Sequence, residues 1–194
     1  MGKEATCKIR HNGREWTAKA HLDGEELVVR GENRLLVRLR REAEVSEGWL
    51  RIPTPEGELA LELGEQAERW AKSIVNPPTL LDKLGIKPAM QIAAIGFADL
   101  CWLECFSAER ELAQGKRYDA ILFHADTDQT LAQVPRLVEA LEPKGMLWIV
   151  FPKGRKDITD LHVFAAGKAA GLVDVKVCKF NALLTGLKFV RRKA

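Results

Sequence analysis

The chain lacks an apolar leader. Lys3, Glu4, Lys8 and Arg10 all fall where a secretory signal would place an unbroken apolar core. It also lacks membrane-spanning length: its longest apolar runs, such as Met146 to Phe151, fall far short of the ~20 residues that a bilayer requires. These two absences point to the cytoplasm. There is little excess charge of either sign, and a net charge of +3 over 194 residues argues for neither nucleic acid nor membrane. Aromatic residues make up 7% and form no stacking motif, so the basic tail of Lys188, Arg191, Arg192 and Lys193 reads as solubilising charge rather than a nucleic-acid surface. Cysteines are few and scattered (Cys7, Cys101, Cys105 and Cys178), which in a chain without a leader reads as free thiols in the core. Cys101 and Cys105, four residues apart, would share one helix face. The nearest histidine, His124, does not give them metal-site spacing. No Ser/His/Asp order, phosphate-cradling Walker loop or metal-spaced cysteine pair is present, which removes the simplest hydrolase, nucleotidase and zinc readings.

What is present suffices for a core. Apolar residues make up 46% of the chain and charged residues of both signs 29%, the composition of an ordinary globular protein of one domain or two small ones. From Ala5 to Gly64, turn signals recur at short intervals: Asn12-Gly13, Asp23-Gly24, Glu32-Asn33 after Gly31, Glu47-Gly48 and Pro55-Glu56-Gly57. Leu59, Leu61 and Leu63 alternate with Glu58, Ala60 and Glu62, the period of a strand with one wet face. Glu26 to Arg30 and Trp49 to Ile52 read similarly. The period then changes. Ala67, Trp70, Ala71 and Ile74 lie on one helical stripe within Glu65 to Val75. Six or seven short strands closed by one amphipathic helix resemble pleckstrin-homology-like barrels, and residues 1–75 are therefore expected to form an antiparallel β barrel-like domain. Such barrels often bind lipid head groups or peptides. The basic run Arg34, Arg38, Arg40 and Arg41 is the candidate patch, although Glu42 and Glu44 follow it and a solvated edge strand is the plainer reading.

Asn76-Pro77-Pro78 ends that helix, because proline has no N–H to donate and restricts the residue before it. The spacing beyond predicts a short helix from Thr79 through Leu84 with Gly85 at its C-terminal turn. Buried strands are predicted at Gln91 to Gly96, Tyr118 to Phe123 and Met146 to Phe151. Helices are predicted over Leu131 to Leu141 and from Asp157 or Thr159 to near Gly171. Pro143-Lys144-Gly145 reads as a turn, and two strands, Asp174 to Phe180 and Gly186 to Arg191, close the chain. Alternating strands and helices indicate a parallel sheet. Its antiparallel ending resembles that of S-adenosylmethionine-dependent methyltransferases, so residues 76–194 are expected to form a reduced, methyltransferase-like α/β Rossmann domain, with ligands beyond the C-terminal strand ends.

Three segments carry a further resemblance: Leu80 to Pro88 (LLDKLGIKP), Leu147 to Lys153 (LWIVFPK) and Ala170 to Cys178 (AGLVDVKVC). Together, over about Asn76 to Arg192, they resemble an uncharacterised bacterial family known as a domain of unknown function, whose members are methyltransferase-like and have no established activity. Where that family tends to place an acidic pair and a tryptophan after the cysteine, this chain has Asn181, Ala182 and Leu184.

A methyltransferase nucleotide loop is glycine-rich because its backbone passes close to the cofactor. Here Gly96 matches the first glycine, but Ala98 and Leu100 stand at the other two positions. Residues 97 to 117 are also too few. A βαβ unit takes about 30 residues, so the strands carrying the ribose acid and the adenine pocket are expected to be missing or vestigial. The candidate cofactor residues are Gly96 and Asp99, and Asp99 also reads as a helix cap. Further along, His124 and Asp126 form a strand-end polar pair with acid–base potential, and Lys153, Arg155 and Lys156 a candidate anion site before a helix.

The expected function is therefore a non-catalytic binding or interaction module on a degenerate methyltransferase scaffold, with no cofactor and with a protein or small anionic ligand as partner. The alternatives are an S-adenosylmethionine-dependent methyltransferase with an abbreviated site, and a small-anion sensor.

Overall fold

The structure, a computed structural model, describes residues 2–31, 34–103 and 105–192. The expected Glu32-Asn33 turn and Lys193 of the basic tail lie outside them. The chain divides into two compact units, Met1–Thr79 and Leu80–Ala194.

The first unit is one seven-stranded antiparallel sheet and a helix. Its strands are β1 (Lys3–His11), β2 (Arg14–Asp23), β3 (Glu26–Arg30), β4 (Arg34–Arg38), β5 (Glu44–Ser46), β6 (Trp49–Thr54) and β7 (Gly57–Glu62). They run in the order β4-β3-β2-β1-β7-β6-β5, so the last strand of the meander returns beside the first. The turn residues take the backbone their sequence announces: Asn12 and Gly13 have φ of 51° and 72°, and Glu47 and Gly48 have 52° and 79°. A 3-10 turn (Gly64–Gln66) leads into α1 (Ala67–Val75), whose stripe of Ala67, Trp70, Ala71 and Ile74 is buried. That stripe shares one core with Ile9, Leu27, Val29, Leu50, Ile52, Leu59 and Leu61 from the inner face of the sheet. Each such fully buried aliphatic contributes about 1.5–3 kcal/mol.

The second unit opens with α2 (Leu80–Leu84), stopped by Gly85 at φ 77°. Its sheet contains β8 (Ile92–Ile95), β9 (Ala108–Glu109), β10 (Tyr118–His124), β11 (Leu141–Pro152), β12 (Leu172–Lys179) and β13 (Leu184–Arg191), in the order β12-β13-β11-β10-β8-β9. β9, β8, β10 and β11 are parallel, and β13 inserts antiparallel between β11 and β12. The expected mixed sheet with an antiparallel terminal hairpin is thus present. α3 (Val134–Glu139) and α4 (Asp160–Ala169) cover the face carrying Phe123, Leu147, Ile149 and Phe189. The opposite face, with Leu122, Trp148 and Val150, packs against α2 and the segment after β8.

Three local readings need correction. The helix expected over Leu131 to Leu141 is a 3-10 stretch (Asp128–Gln133) followed by α3, and Leu141 already belongs to β11. Pro135 accounts for the start of α3, since proline fits only a first helical turn. The turn expected at Pro143-Lys144-Gly145 is a bulge inside β11: the register jumps from Tyr118 opposite Leu141 to Ala120 opposite Met146. Gly145 sits there because a Cβ would lie 2.9 Å from the Tyr118 carbonyl. Finally, Cys101 and Cys105 are exposed rather than in the core. The Asp99 carboxylate takes the Cys101 N–H at 2.8 Å, and a single 3-10 turn (Cys101–Leu103) follows, burying Leu103 instead.

Candidate functional site

The parallel strands end at Ile95, Glu109, His124 and Pro152, the edge where α/β sheets place ligands. Gly96 has φ 79°, and a Cβ there would stand 2.7 Å from the His124 carbonyl oxygen. The neighbouring strand alone therefore requires this glycine.

Phe97, the next residue, lies over the strand ends. Its ring is 5.5 Å from His124, 5.8 Å from Phe180 in a stacked arrangement and 5.6 Å from Trp102, and Trp102 meets Phe180 edge-on at 4.9 Å. These four residues come from the loop after β8, the 3-10 turn, the end of β10 and the loop after β12. Aromatic content is low and the members are scattered in sequence, so nothing local announced the cluster. Beneath it, His124 Nδ1 lies 3.2 Å from the Gly96 carbonyl. A carbonyl only accepts, which places a proton on Nδ1. Nε2 is buried without a hydrogen-bond partner.

β9 is two residues long, paired through Ile92 with Ala108 and Ala93 with Glu109. Among the described residues no strand lies outside it, so this side of the sheet is vestigial, as the short 97 to 117 segment implied. Glu109 ends β9 with its carboxylate engaged: Lys116 Nζ and the Tyr118 hydroxyl both donate to it, and the Ala113 N–H donates to that hydroxyl at 3.0 Å. The Lys116 and Tyr118 bonds hold the Glu109 carboxyl below its ordinary range. Beside β9, a cleft of about 300 Å³ is lined by Asp99, Leu100, Cys101, Phe106, Ala108 and Arg110. Asp99 caps the 3-10 turn, as its helix-cap reading foresaw, and bonds from the Cys101 thiol and N–H depress its carboxyl.

His124 and Asp126 do not pair with each other. Asp126 accepts from Arg155 at 3.1 Å. Arg155 also grips Asp157 through two nitrogens, and Lys153 Nζ donates to the Asn181 carbonyl at 2.7 Å. Two of the three cations expected to hold an anion are therefore occupied by the chain's own oxygens. α4 begins only at Asp160, beyond Lys156.

The basic tail is likewise partly structural. Arg191 Nη2 donates to the Val138 carbonyl at 2.7 Å and the Leu141 carbonyl at 3.3 Å, capping the end of α3. Burial, with Lys176 nearby, pushes the Lys188 ammonium below its usual value.

No cluster of three potential metal ligands occurs among the described residues, and no described helix is long and apolar enough to cross a membrane. The four thiols differ in access. Burial raises Cys7 to about 11 and Cys178 is buried, whereas Cys101 and Cys105 are exposed. Ellman's reagent at neutral pH is expected to modify Cys105 promptly, Cys101 more slowly because its thiol donates to the Asp99 carboxylate, and the other two only on unfolding. Prompt reaction at all four would contradict the buried positions.

No family model matches the chain, and no curated protein does. The three motifs resembling an uncharacterised bacterial family thus stand without a family assignment. Solved structures do match. A ribosomal-protein methylase from Lactobacillus delbrueckii subsp. bulgaricus is 9% identical over 66% of this chain and 80% of its own, with a TM-score of 0.43. A SAM-dependent methyltransferase from Aquifex aeolicus is 13% identical over 59% and 88%, with a TM-score of 0.43. The fibrillarin pre-rRNA processing protein of Methanococcus jannaschii is 10% identical over 96% and 98%, with a TM-score of 0.41. Each is a likeness of fold alone.

Proposed function

We propose that this chain is a non-catalytic interaction protein whose methyltransferase-like unit has closed its strand-end crevice with its own aromatic side chains. The observation that carries this reading is the Phe97 ring, stacked on Phe180 and packed on His124 at the end of β10. That ring takes up space beyond the end of β10 that a nucleoside there would need. Three further features support the reading. Ala98 and Leu100 replace the loop glycines, β9 is vestigial, and the acid at its end is committed to Lys116 and Tyr118.

Calorimetric titration of the full chain with S-adenosylmethionine, and with its homocysteine product, is the direct test. No saturable heat is expected with either. Micromolar binding of either one would overturn the proposal.

One observation favours the rival reading of an abbreviated methyltransferase: the buried, unpartnered His124 Nε2 accepts a donor from any ligand that displaces Phe97. Under that reading the same titration shows binding, and the Phe97→Ala variant binds more tightly than the parent.

A further inference from the structure

Among the described residues the two sheets have four edges, β4, β5, β9 and β12, and three of them are guarded. β5 has three residues and β9 two, while β12 carries a bulge between Asp174 and Lys176 and presents the charges of Asp174 and Lys179. Short strands, bulges and lysines are the usual devices that keep an edge from pairing with another chain. β4 differs. It pairs with β3 in unbroken register from Arg30 opposite Arg34 to Glu26 opposite Arg38, with no proline or bulge. On its solvent face it shows Arg34, Leu36 and Arg38 at period two, and Leu36 is 51% exposed at the centre.

The charge on this face is unbalanced at its Arg34 end, whereas at the other end Arg38 stands opposite Glu26. Lys19, Arg30 and Arg34 are directly opposite one another across β2, β3 and β4. Like charges in that position destabilise a sheet. Lys19 is paired with Glu4 at 2.8 Å, but Arg30 and Arg34 make no hydrogen bond or contact ion pair among the described residues. Two arginines at the edge repel a second copy of β4, yet they complement a strand of opposite charge.

We propose that β4 is a docking edge for an extended acidic segment of a partner protein. The segment adds as a further strand, with acidic side chains facing Arg34 and Arg38 and an apolar side chain between them on Leu36. The recognised pattern is acid-x-apolar-x-acid, which reads the same in both chain directions. Strand addition supplies main-chain hydrogen bonds, and the alternate side chains supply selectivity. The basic run that the sequence offered as either a ligand patch or a solvated edge thus divides. Arg34 and Arg38 face the docking strand, whereas Arg41, at φ 62°, turns back to Glu25 at 3.3 Å.

This inference names a partner class for the interaction module and rests on that reading, but the two fail in different experiments. S-adenosylmethionine binding sinks the module; the following peptide measurements sink the docking edge. The probe is a fluorescein-labelled nine-residue peptide with glutamates at its third and seventh positions, valine at its fifth, and serine or threonine elsewhere. Fluorescence anisotropy with the full chain is expected to show saturable binding. That binding weakens about tenfold or more in the Arg34→Glu/Arg38→Glu variant, a change of about 1.4 kcal/mol. It also weakens when the peptide's alternate amides are N-methylated, and hydrogen exchange at residues 34–38 slows when the peptide binds. Should the charge-reversed variant not fold, Arg34→Gln/Arg38→Gln takes its place. The proposal is overturned by equal binding of a peptide with glutamine for glutamate, by unaltered binding in the variant, or by unchanged exchange along β4. Binding of phosphatidylserine vesicles or an oligothymidine in preference to the peptide overturns it as well.

Discussion

Trp148→Ala is expected to lower the stability of the second unit by about 3–5 kcal/mol, the range for removing a large aromatic from a core. Trp148 is fully buried on β11, between Leu122 of β10 and Lys188 of β13. Its ring also contacts the sheet interior closely enough that a Cβ at Gly186 would lie 3.3 Å from it. The indole Nε1 donates to the Leu84 carbonyl at 2.9 Å, at the end of α2. The alanine variant therefore leaves both a cavity and a helix-end carbonyl without its donor, and an unmet buried acceptor costs about 1–3 kcal/mol. The two costs overlap and do not simply add. Typical total stability is only about 5–15 kcal/mol, so this one change removes a large share of it. Urea unfolding followed by circular dichroism measures the loss. Trp148→Phe separates the contributions: it keeps most of the ring and loses the N–H, so it is expected to cost much less. An alanine variant within about 1 kcal/mol of the parent would show that Trp148 is not the packing centre described here.

Much of the fold was legible because its signals are local. The Asn12-Gly13 turn needs positive φ wherever the chain goes, and the stripe from Ala67 to Ile74 specifies one helix and the face it buries. The misreadings share the opposite property. Gly145 reads as a turn residue until Tyr118 is beside it, and then it is the only residue type that fits the bulge. Leu141 continues the helical pattern of Leu131 to Val138 but pairs with Tyr118 as a strand. β9 is too short to show any periodicity and exists only through its bonds to Ile92 and Ala93.

At the candidate site the shortness of one sheet side was legible and the filling of the strand ends was not. The short 97 to 117 segment indicated a cut-down side of the sheet from sequence alone, and β9 there has two residues. The aromatic filling could not be anticipated, because Phe97, Trp102, His124 and Phe180 come together only when the sheet is built. The charged candidates show the converse. Lys153, Arg155 and Asp126 are where the pattern placed them, beyond the strand ends, yet Lys153 donates to a carbonyl of the same chain and Arg155 to the Asp126 carboxylate. Sequence identifies a cation; only the folded backbone shows whether its charge is already answered.

Gly167→Ala provides a test in which two general rules oppose each other. Gly167 lies inside α4, where replacing glycine with alanine ordinarily stabilises a helix by about 1 kcal/mol. Here α4 rests directly on β13. A Cβ on Gly167 would sit 2.6 Å from Phe189 Cδ1, 2.9 Å from Cζ and closer still to Cε1. The ring cannot easily withdraw: Phe189 is 1% exposed, lies opposite Leu147 and Asp174 on its two neighbouring strands, and meets Phe164 edge-on at 6.5 Å. Overpacking of this kind costs about 1–3 kcal/mol, occasionally more, because the helix must lift or the ring must leave its rotamer. The propensity gain therefore loses, and the variant is expected to be less stable than the parent, with Gly167→Val worse again. Adding Phe189→Leu makes room for the new methyl. The double variant is expected to show a favourable coupling of at least about 0.5 kcal/mol relative to the sum of the single changes. Denaturant midpoints of the four proteins in the cycle decide the matter. If Gly167→Ala raises the midpoint as it would on a solvent-facing helix, α4 does not pack against Phe189 at this distance.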